Sequence, residues 1–215
     1  MRPIKILGLA AIAALAAMAF VAATASADAF CETSGLHAGE CPAGKILVPG
    51  KLLKALATNP LLLDASGNIL EECGIGHALA TVGTSSAPHT GVKFTINSLE
   101  WLNCKGQCST VTSNALPYPG EALALALLAH ITSSGTTTLS GCSIFNLKCT
   151  YKLPGANGSG LLKIESDLLV AEKVELARTT PCNFEEVFPA KGFWDAKYLT
   201  VLHNTEIPVY IAALP

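Results

Sequence analysis

The chain has 215 residues, half of them hydrophobic and 14% charged, with 14 Lys and Arg against 16 Asp and Glu. That composition is too apolar for a disordered chain and its length suits one folded unit. The charges are scattered with no basic stripe to neutralise phosphates, so no nucleic acid partner is expected.

The chain opens on Met1-Arg2-Pro3-Ile4-Lys5, an uncharged run from Ile6 to Ala23, and Thr24-Ala25-Ser26-Ala27. A basic start, an apolar middle and an Ala-x-Ala ending are the three parts of a secretory signal. An uncleaved membrane anchor is the rival reading, but the run is near the lower limit for spanning a bilayer. The organisation expected is therefore a signal peptide over 1–27 and a single secreted β domain over 28–215. Removing Arg2 and Lys5 leaves twelve basic residues against sixteen acidic ones, a net charge of −4. Cys31 follows Asp28-Ala29-Phe30, which is no lipidation box. No integral membrane span is expected after cleavage.

All eight cysteines stay in the mature chain: Cys31, Cys41, Cys73, Cys104, Cys108, Cys142, Cys149 and Cys182. An even count in an exported protein argues for disulfides. Joining near neighbours gives Cys31–Cys41, Cys104–Cys108 and Cys142–Cys149, and leaves Cys73–Cys182 to close the long loop. Zinc is the competing use of Cys104-x3-Cys108, but the gap between Cys142 and Cys149 is too wide for a second ligand pair. His37, His77, His89, His130 and His203 show no ligand spacing. No metal and no cofactor are expected.

Along the mature chain, apolar and polar residues alternate with the period of strands. Lys51 to Ala57 reads as strand or helix, and Asn59-Pro60 ends it either way. Gly74-Ile75-Gly76-His77-Ala78-Leu79 lacks the third glycine of a dinucleotide loop and reads as a turn into a strand. Val92 to Asn97 alternates cleanly. Glu121 to Ile131 mixes Leu and Ala, and the Pro and Gly before it favour strand over helix. Thr136 to Leu139, Thr150 to Leu153 and Leu161 to Asp167 complete the strand candidates. Turn signals fall at Asn59-Pro60, Ser66-Gly67-Asn68, Ala87-Pro88, Lys105-Gly106, Ser134-Gly135, Pro154-Gly155, Asn157-Gly158 and Ala190-Lys191-Gly192. Their spacing predicts an all-β fold, an antiparallel β-sandwich or open barrel stapled by disulfides. Trp101, Trp194 and the phenylalanines are its core aromatics.

Five motifs then occur in order: Cys41-Pro42; Cys73; Cys108 with Leu116-Pro117-Tyr118; Cys149-Thr150-Tyr151; and Cys182 with Trp194-Asp195-Ala196-Lys197-Tyr198. In this order the chain resembles a set of uncharacterised secreted, disulfide-bonded, β-rich bacterial proteins with no known activity. It departs from them at Pro181-Cys182, where they have Cys-Pro. The resemblance implies a β fold and export, and no catalytic residue.

There is no Gly-x-Ser-x-Gly elbow and no phosphate-cradling loop. A Ser/His/Asp triad would have to draw on Asp28, Asp64, Asp167 or Asp195. Glu71-Glu72 and Glu185-Glu186 are adjacent pairs whose side chains point to opposite faces of a strand, so neither pair can flank one bond. Both pairs read as solvated charges. Asn157-Gly158-Ser159 is a formal glycosylation site that reads more simply as a turn.

The expected function is thus a non-catalytic secreted or cell-envelope-associated protein with a structural or interaction role toward an envelope or extracellular component. An adhesion or glycan-binding module is the alternative, and it needs Trp101, Tyr118 or Trp194 exposed on one face. A secreted hydrolase is the third reading.

Overall fold

The computed structural model describes residues 27–32, 41–42, 44–85, 91–132, 135–143, 147–153, 161–165, 168–179, 182 and 187–214. Residues 1–26 of the expected signal over 1–27, His37, His89, Asp167, Glu185-Glu186, Pro181, the sequon at 157–159 and the turn signals at Ala87-Pro88 and Pro154-Gly155 lie outside them.

Among the described residues there are fourteen strands and no helix. They are β1 (Asp28–Glu32), β2 (Leu52–Thr58), β3 (Leu61–Leu63), β4 (Ile69–Ser85), β5 (Val92–Gly106), β6 (Cys108–Asn114) and β7 (Tyr118–Leu123). The chain continues through β8 (Leu128–Ile131), β9 (Thr136–Cys142), β10 (Cys149–Lys152), β11 (Leu161–Glu165), β12 (Leu168–Arg178), β13 (Lys191–Leu202) and β14 (Val209–Ala213). Every pairing is antiparallel, as the sequence predicts.

The sheet closes on itself twice. β4, β5, β7, β8, β11, β12, β13 and β2 hydrogen-bond in that order and return to β4. β4, β5, β6, β9, β10, β12, β13 and β3 form a second ring in the same way. The long strands β4, β5, β12 and β13 belong to both rings, one half of each strand to either ring. Closure leaves these strands no free edge. Where β12 passes from the first ring to the second, the register shifts between Ala171 and Val174, and Lys173 adopts φ 50 inside the shift. Such a bulge bends a strand and lets it change partners.

The period-2 pattern sets what faces inward. In the first ring Leu53, Ala55, Ala78, Ala80, Phe94, Ile96, Ala122, Ala129 and Leu162 surround a cavity of about 60 Å³. Alanine at so many inward positions lets the opposing walls come close. β1 and β14 pair with each other over their whole length, and Phe30 and Ile211 from this ribbon complete the lining. Asp28 at its start is buried and accepts the Ala124 N–H at 2.9 Å.

Two local expectations change. Glu121 to Ile131 is not one strand but the hairpin β7–β8, turning through residues 124–127 with Leu127 at φ 51. Gly74 to Leu79 is not a turn but the middle of β4, paired residue by residue to β2 and β5. The segment from Lys51 to Ala57 is strand from Leu52 onward, and Asn59, at φ 50, turns the chain before Pro60. Asp64 closes the next turn, accepting the backbone N–H of Ser66 and of Asn68 at 2.8 Å each, while Gly67 takes φ 87. These donated hydrogen bonds, led by the Asn68 side chain, hold the Asp64 carboxyl below its usual value.

All eight cysteines are paired, but only Cys31–Cys41 matches the nearest-neighbour scheme. The other bonds are Cys73–Cys104, Cys108–Cys142 and Cys149–Cys182. Cys73 stands opposite Cys104 in the β4–β5 register, and Cys108 opposite Cys142 in β6–β9. Cross-strand position decides these bonds. Lys105-Gly106-Gln107 turns β5 into β6, which leaves Cys104 facing β4 and Cys108 facing β9.

Candidate functional site

The second ring encloses its own cavity of about 60 Å³, and its walls differ from those of the first. Leu99, Val111, Leu139, Leu153 and Leu176 supply an aliphatic side, while Trp101, Tyr118, Tyr151 and Trp194 supply an aromatic one. Glu71 is the single carboxylate on the lining. Strand alternation explains its place: Glu71 is two residues before Cys73, and both side chains lie on the inward face of β4.

Each aromatic ring is fixed. Trp101 and Trp194 meet edge to face with centroids 5.6 Å apart, and Trp194 meets Tyr198 at the same distance. Trp101 Nε1 donates to Ser113 Oγ at 3.0 Å. The Tyr118 hydroxyl lies against the carbonyls of Asn114 and Thr136. Tyr151 donates to the Pro189 carbonyl at 3.0 Å. Burial pushes the Tyr151 phenol up to about 12, with Arg178 nearby working the other way. Burial likewise raises Tyr118, and it raises Tyr198 well above its usual value although the neighbouring Trp194 indole opposes it. Trp194 Nε1 and Tyr198 Oη interact with each other but fall short of full hydrogen-bond geometry, and neither has another partner.

Glu71 is 2% exposed, which corrects the expectation that the Glu71-Glu72 pair is solvated. Its Oε2 accepts the Cys108 backbone N–H at 3.0 Å, so the carboxyl caps the β5–β6 turn between two disulfides. Its Oε1 is buried with no hydrogen-bond partner. Burial raises the Glu71 carboxyl above the usual carboxylate value, and the N–H groups of Cys108 and Gln107 offset part of that.

The remaining candidates disperse. His77 lies 3.9 Å from Glu100 and His130 3.9 Å from Glu121, each pair on neighbouring strands; Glu100 is well exposed, while His130 and Glu121 are both partly buried. His203 Nδ1, in the turn that follows β13, is buried without a partner. Asp28 and Asp64 bind backbone N–H groups. Among the described residues, no cluster of three or more His, Cys, Asp or Glu is arranged to hold a metal, and no helix is long and apolar enough to cross a membrane. Trp101, Tyr118 and Trp194, which a glycan-binding face needs outside, line the inner cavity instead, with Tyr118 only 3% exposed.

The fold and site together define an antiparallel all-β protein with two fused closed rings, four disulfides and apolar interiors. No protein-family model, curated protein or solved structure matches the chain.

Proposed function

We propose that the chain is a non-catalytic secreted or cell-envelope-associated β protein with a structural or interaction role. The observation that carries this reading is the use of its reactive groups. Every described cysteine lies in a disulfide, and Asp28, Asp64 and Glu71 each hold backbone N–H groups. Such groups stabilise strands and turns and are not arranged around a cleft with a nucleophile and its base.

Four disulfides are consistent with an oxidising compartment. The proposed route there is the signal over 1–27, whose cleavage after Ala27 would begin the mature chain at Asp28, the first residue of β1. The partner proposed is an envelope or extracellular component of a bacterium, in keeping with the motif order the chain shares with secreted bacterial β proteins.

Expression with its own leader in an exporting bacterium, followed by fractionation, N-terminal sequencing and thiol titration, tests the reading. The expected product starts at Asp28, lies outside the cytoplasm and has no free thiol. Retention in the cytoplasm with Met1 in place would overturn export. Turnover of chromogenic ester, glycoside or peptide substrates by the purified protein would overturn the non-catalytic role.

A further inference from the structure

We propose that the mouth of the first ring rests on a lipid bilayer surface, with Leu125 and Leu127 entering the interface from one rim, Ile46 and Val48 from the other, and Lys45 and Lys51 meeting anionic headgroups. The inference rests on the envelope-associated reading and names the envelope component as the bilayer itself.

Single exposed leucines are ordinary on a protein surface, but these stand where local preference argues against them. Tight turns draw on Gly, Asn, Asp, Pro and Ser, whereas Ala122 to Ala129 consists of Ala and Leu alone. At the tip of this hairpin Leu125 is 76% and Leu127 58% exposed, and Leu127 holds φ 51, a left-handed conformation that Asn or Gly adopts at less cost. The tip is also braced. Ala124 donates its N–H to Asp28, and the Leu127 carbonyl accepts the Ile164 N–H at 2.8 Å.

A second apolar pair borders the same ribbon. The Phe30 carbonyl, two residues along β1 from Asp28, accepts the Leu47 N–H at 2.8 Å, and on either side of Leu47 stand Ile46, 45% exposed, and Val48, 58% exposed. Lys45 and Lys51 bracket this pair and both are exposed, Lys45 lying 3.6 Å from Glu32. Apolar residues flanked by basic ones suit an interface where headgroups are anionic. On the tip side Glu165, which follows Ile164, is exposed, so headgroup attraction falls to the lysine rim.

The place where the chain enters the fold selects the occupant. Ala27 immediately precedes β1, and Asp28, the residue after it, holds the hairpin tip. The apolar run from Ile6 to Ala23 ends four residues upstream of Asp28, a length of chain that spans at most about 14 Å. A leader inserted in the bilayer during export therefore holds the ribbon and the tip within reach of that membrane's surface.

Cosedimentation of the exported, oxidised protein with vesicles tests the proposal. Mixed phosphatidylcholine and phosphatidylglycerol vesicles are expected to bind it at least about fivefold more tightly than phosphatidylcholine alone, the gain that one lysine near an anionic surface provides. Lys45→Gln with Lys51→Gln is expected to remove that difference. Leu125→Asn with Leu127→Asn is expected to weaken binding to both vesicles at least about tenfold through lost apolar burial, while the urea midpoint holds or rises because Asn suits the left-handed turn. Leu125→Trp adds a tip reporter whose emission is expected to shift to the blue and to be quenched by brominated acyl chains, whereas Trp101 and Trp194 line the inner cavity and stay unquenched. The proposal is overturned by the absence of vesicle binding, by binding that survives the paired Asn variant, by a Leu125→Trp ring beyond reach of the brominated chains, or by dimerisation that the Asn pair abolishes, which would give this face to a second copy. Failure to bind vesicles leaves export and the lack of turnover standing, whereas cytoplasmic retention overturns export and leaves the Leu125→Trp readout to be made on the refolded, oxidised chain.

Discussion

Phe94 of β5 stands directly opposite Gly120 of β7, and its ring occupies the space that any side chain at Gly120 would need. A Cβ there would come 2.6 Å from Phe94 Cε2 and 2.9 Å from the His130 carbonyl oxygen. Neither neighbour has room to retreat, because Phe94 packs edge to face on Phe30 and His130 belongs to β8. Gly120→Ala is therefore expected to destabilise the fold by about 1–3 kcal/mol, the usual range for overpacking. A lowered urea midpoint with an unchanged slope is the result to look for; an unshifted midpoint would mean the ring is free to move.

The carboxyl of Glu71 makes stability depend on pH in a defined direction. Its folded value is raised by burial, so between the ordinary carboxylate value and the folded one the native state holds a proton that the unfolded chain has lost. Its contribution is complete below that window and falls away as pH rises through it. Glu71→Gln keeps an oxygen for the Cys108 N–H and removes the titration. Urea midpoints measured across pH 4 to 8 should decline less steeply in this variant than in the parent protein, and parallel curves would refute the assignment.

Burial raises all four of the chain's tyrosines, Tyr118, Tyr151, Tyr198 and Tyr210. No phenol of the folded protein is thus expected to ionise at the usual value. Since the unfolded chain loses these protons first, stability falls as pH rises above about 10. Absorbance at 295 nm should remain flat through that region and then rise together with loss of the far-ultraviolet strand signal. A separate tyrosinate step before unfolding would show that at least one ring is solvated.

The disulfide pattern is directly checkable. Peptide maps of the unreduced protein are expected to join Cys73 to Cys104, Cys108 to Cys142 and Cys149 to Cys182, besides Cys31 to Cys41. Loss of the Cys73–Cys104 bond, whose partners are 31 residues apart, should lower stability by about 4 kcal/mol from loop entropy alone. Maps joining Cys104 to Cys108 would exclude the β4–β5 register.

These residues also show what a one-dimensional reading carries. The strands β5 and β11 are legible because inward and outward residues alternate, β9 and β10 because β-branched and aromatic residues gather there, while β2 reads equally as helix; Asn59 and Gly67 mark turns that need their backbone freedom. The β7–β8 turn is hidden in a run of Ala and Leu, where Leu127 takes a left-handed conformation without any residue suited to it. Disulfide partners depend on which strands become neighbours, and nearness in sequence says nothing about that once β4 lies beside β5 from end to end. Glu71 escapes notice because it adjoins Glu72 in a pair that looks solvated. The signal was present two residues on: if Cys73 faces inward to meet a cysteine, Glu71 on the same side of the strand must face inward too.

The ribbon over the first ring joins the earliest described strand, β1, to the last, β14. In synthesis from the N-terminus β1 therefore waits, unpaired along that edge, until nearly all the described strands have been made. Within its own neighbourhood that segment is held by the Cys31–Cys41 bond and by the backbone hydrogen bonds that join Phe30 and Glu32 to Leu47 and Lys45. The cover of the ring is thus completed only when β14 arrives, and a chain interrupted before Val209 would leave Phe30 and the cavity behind it open to solvent.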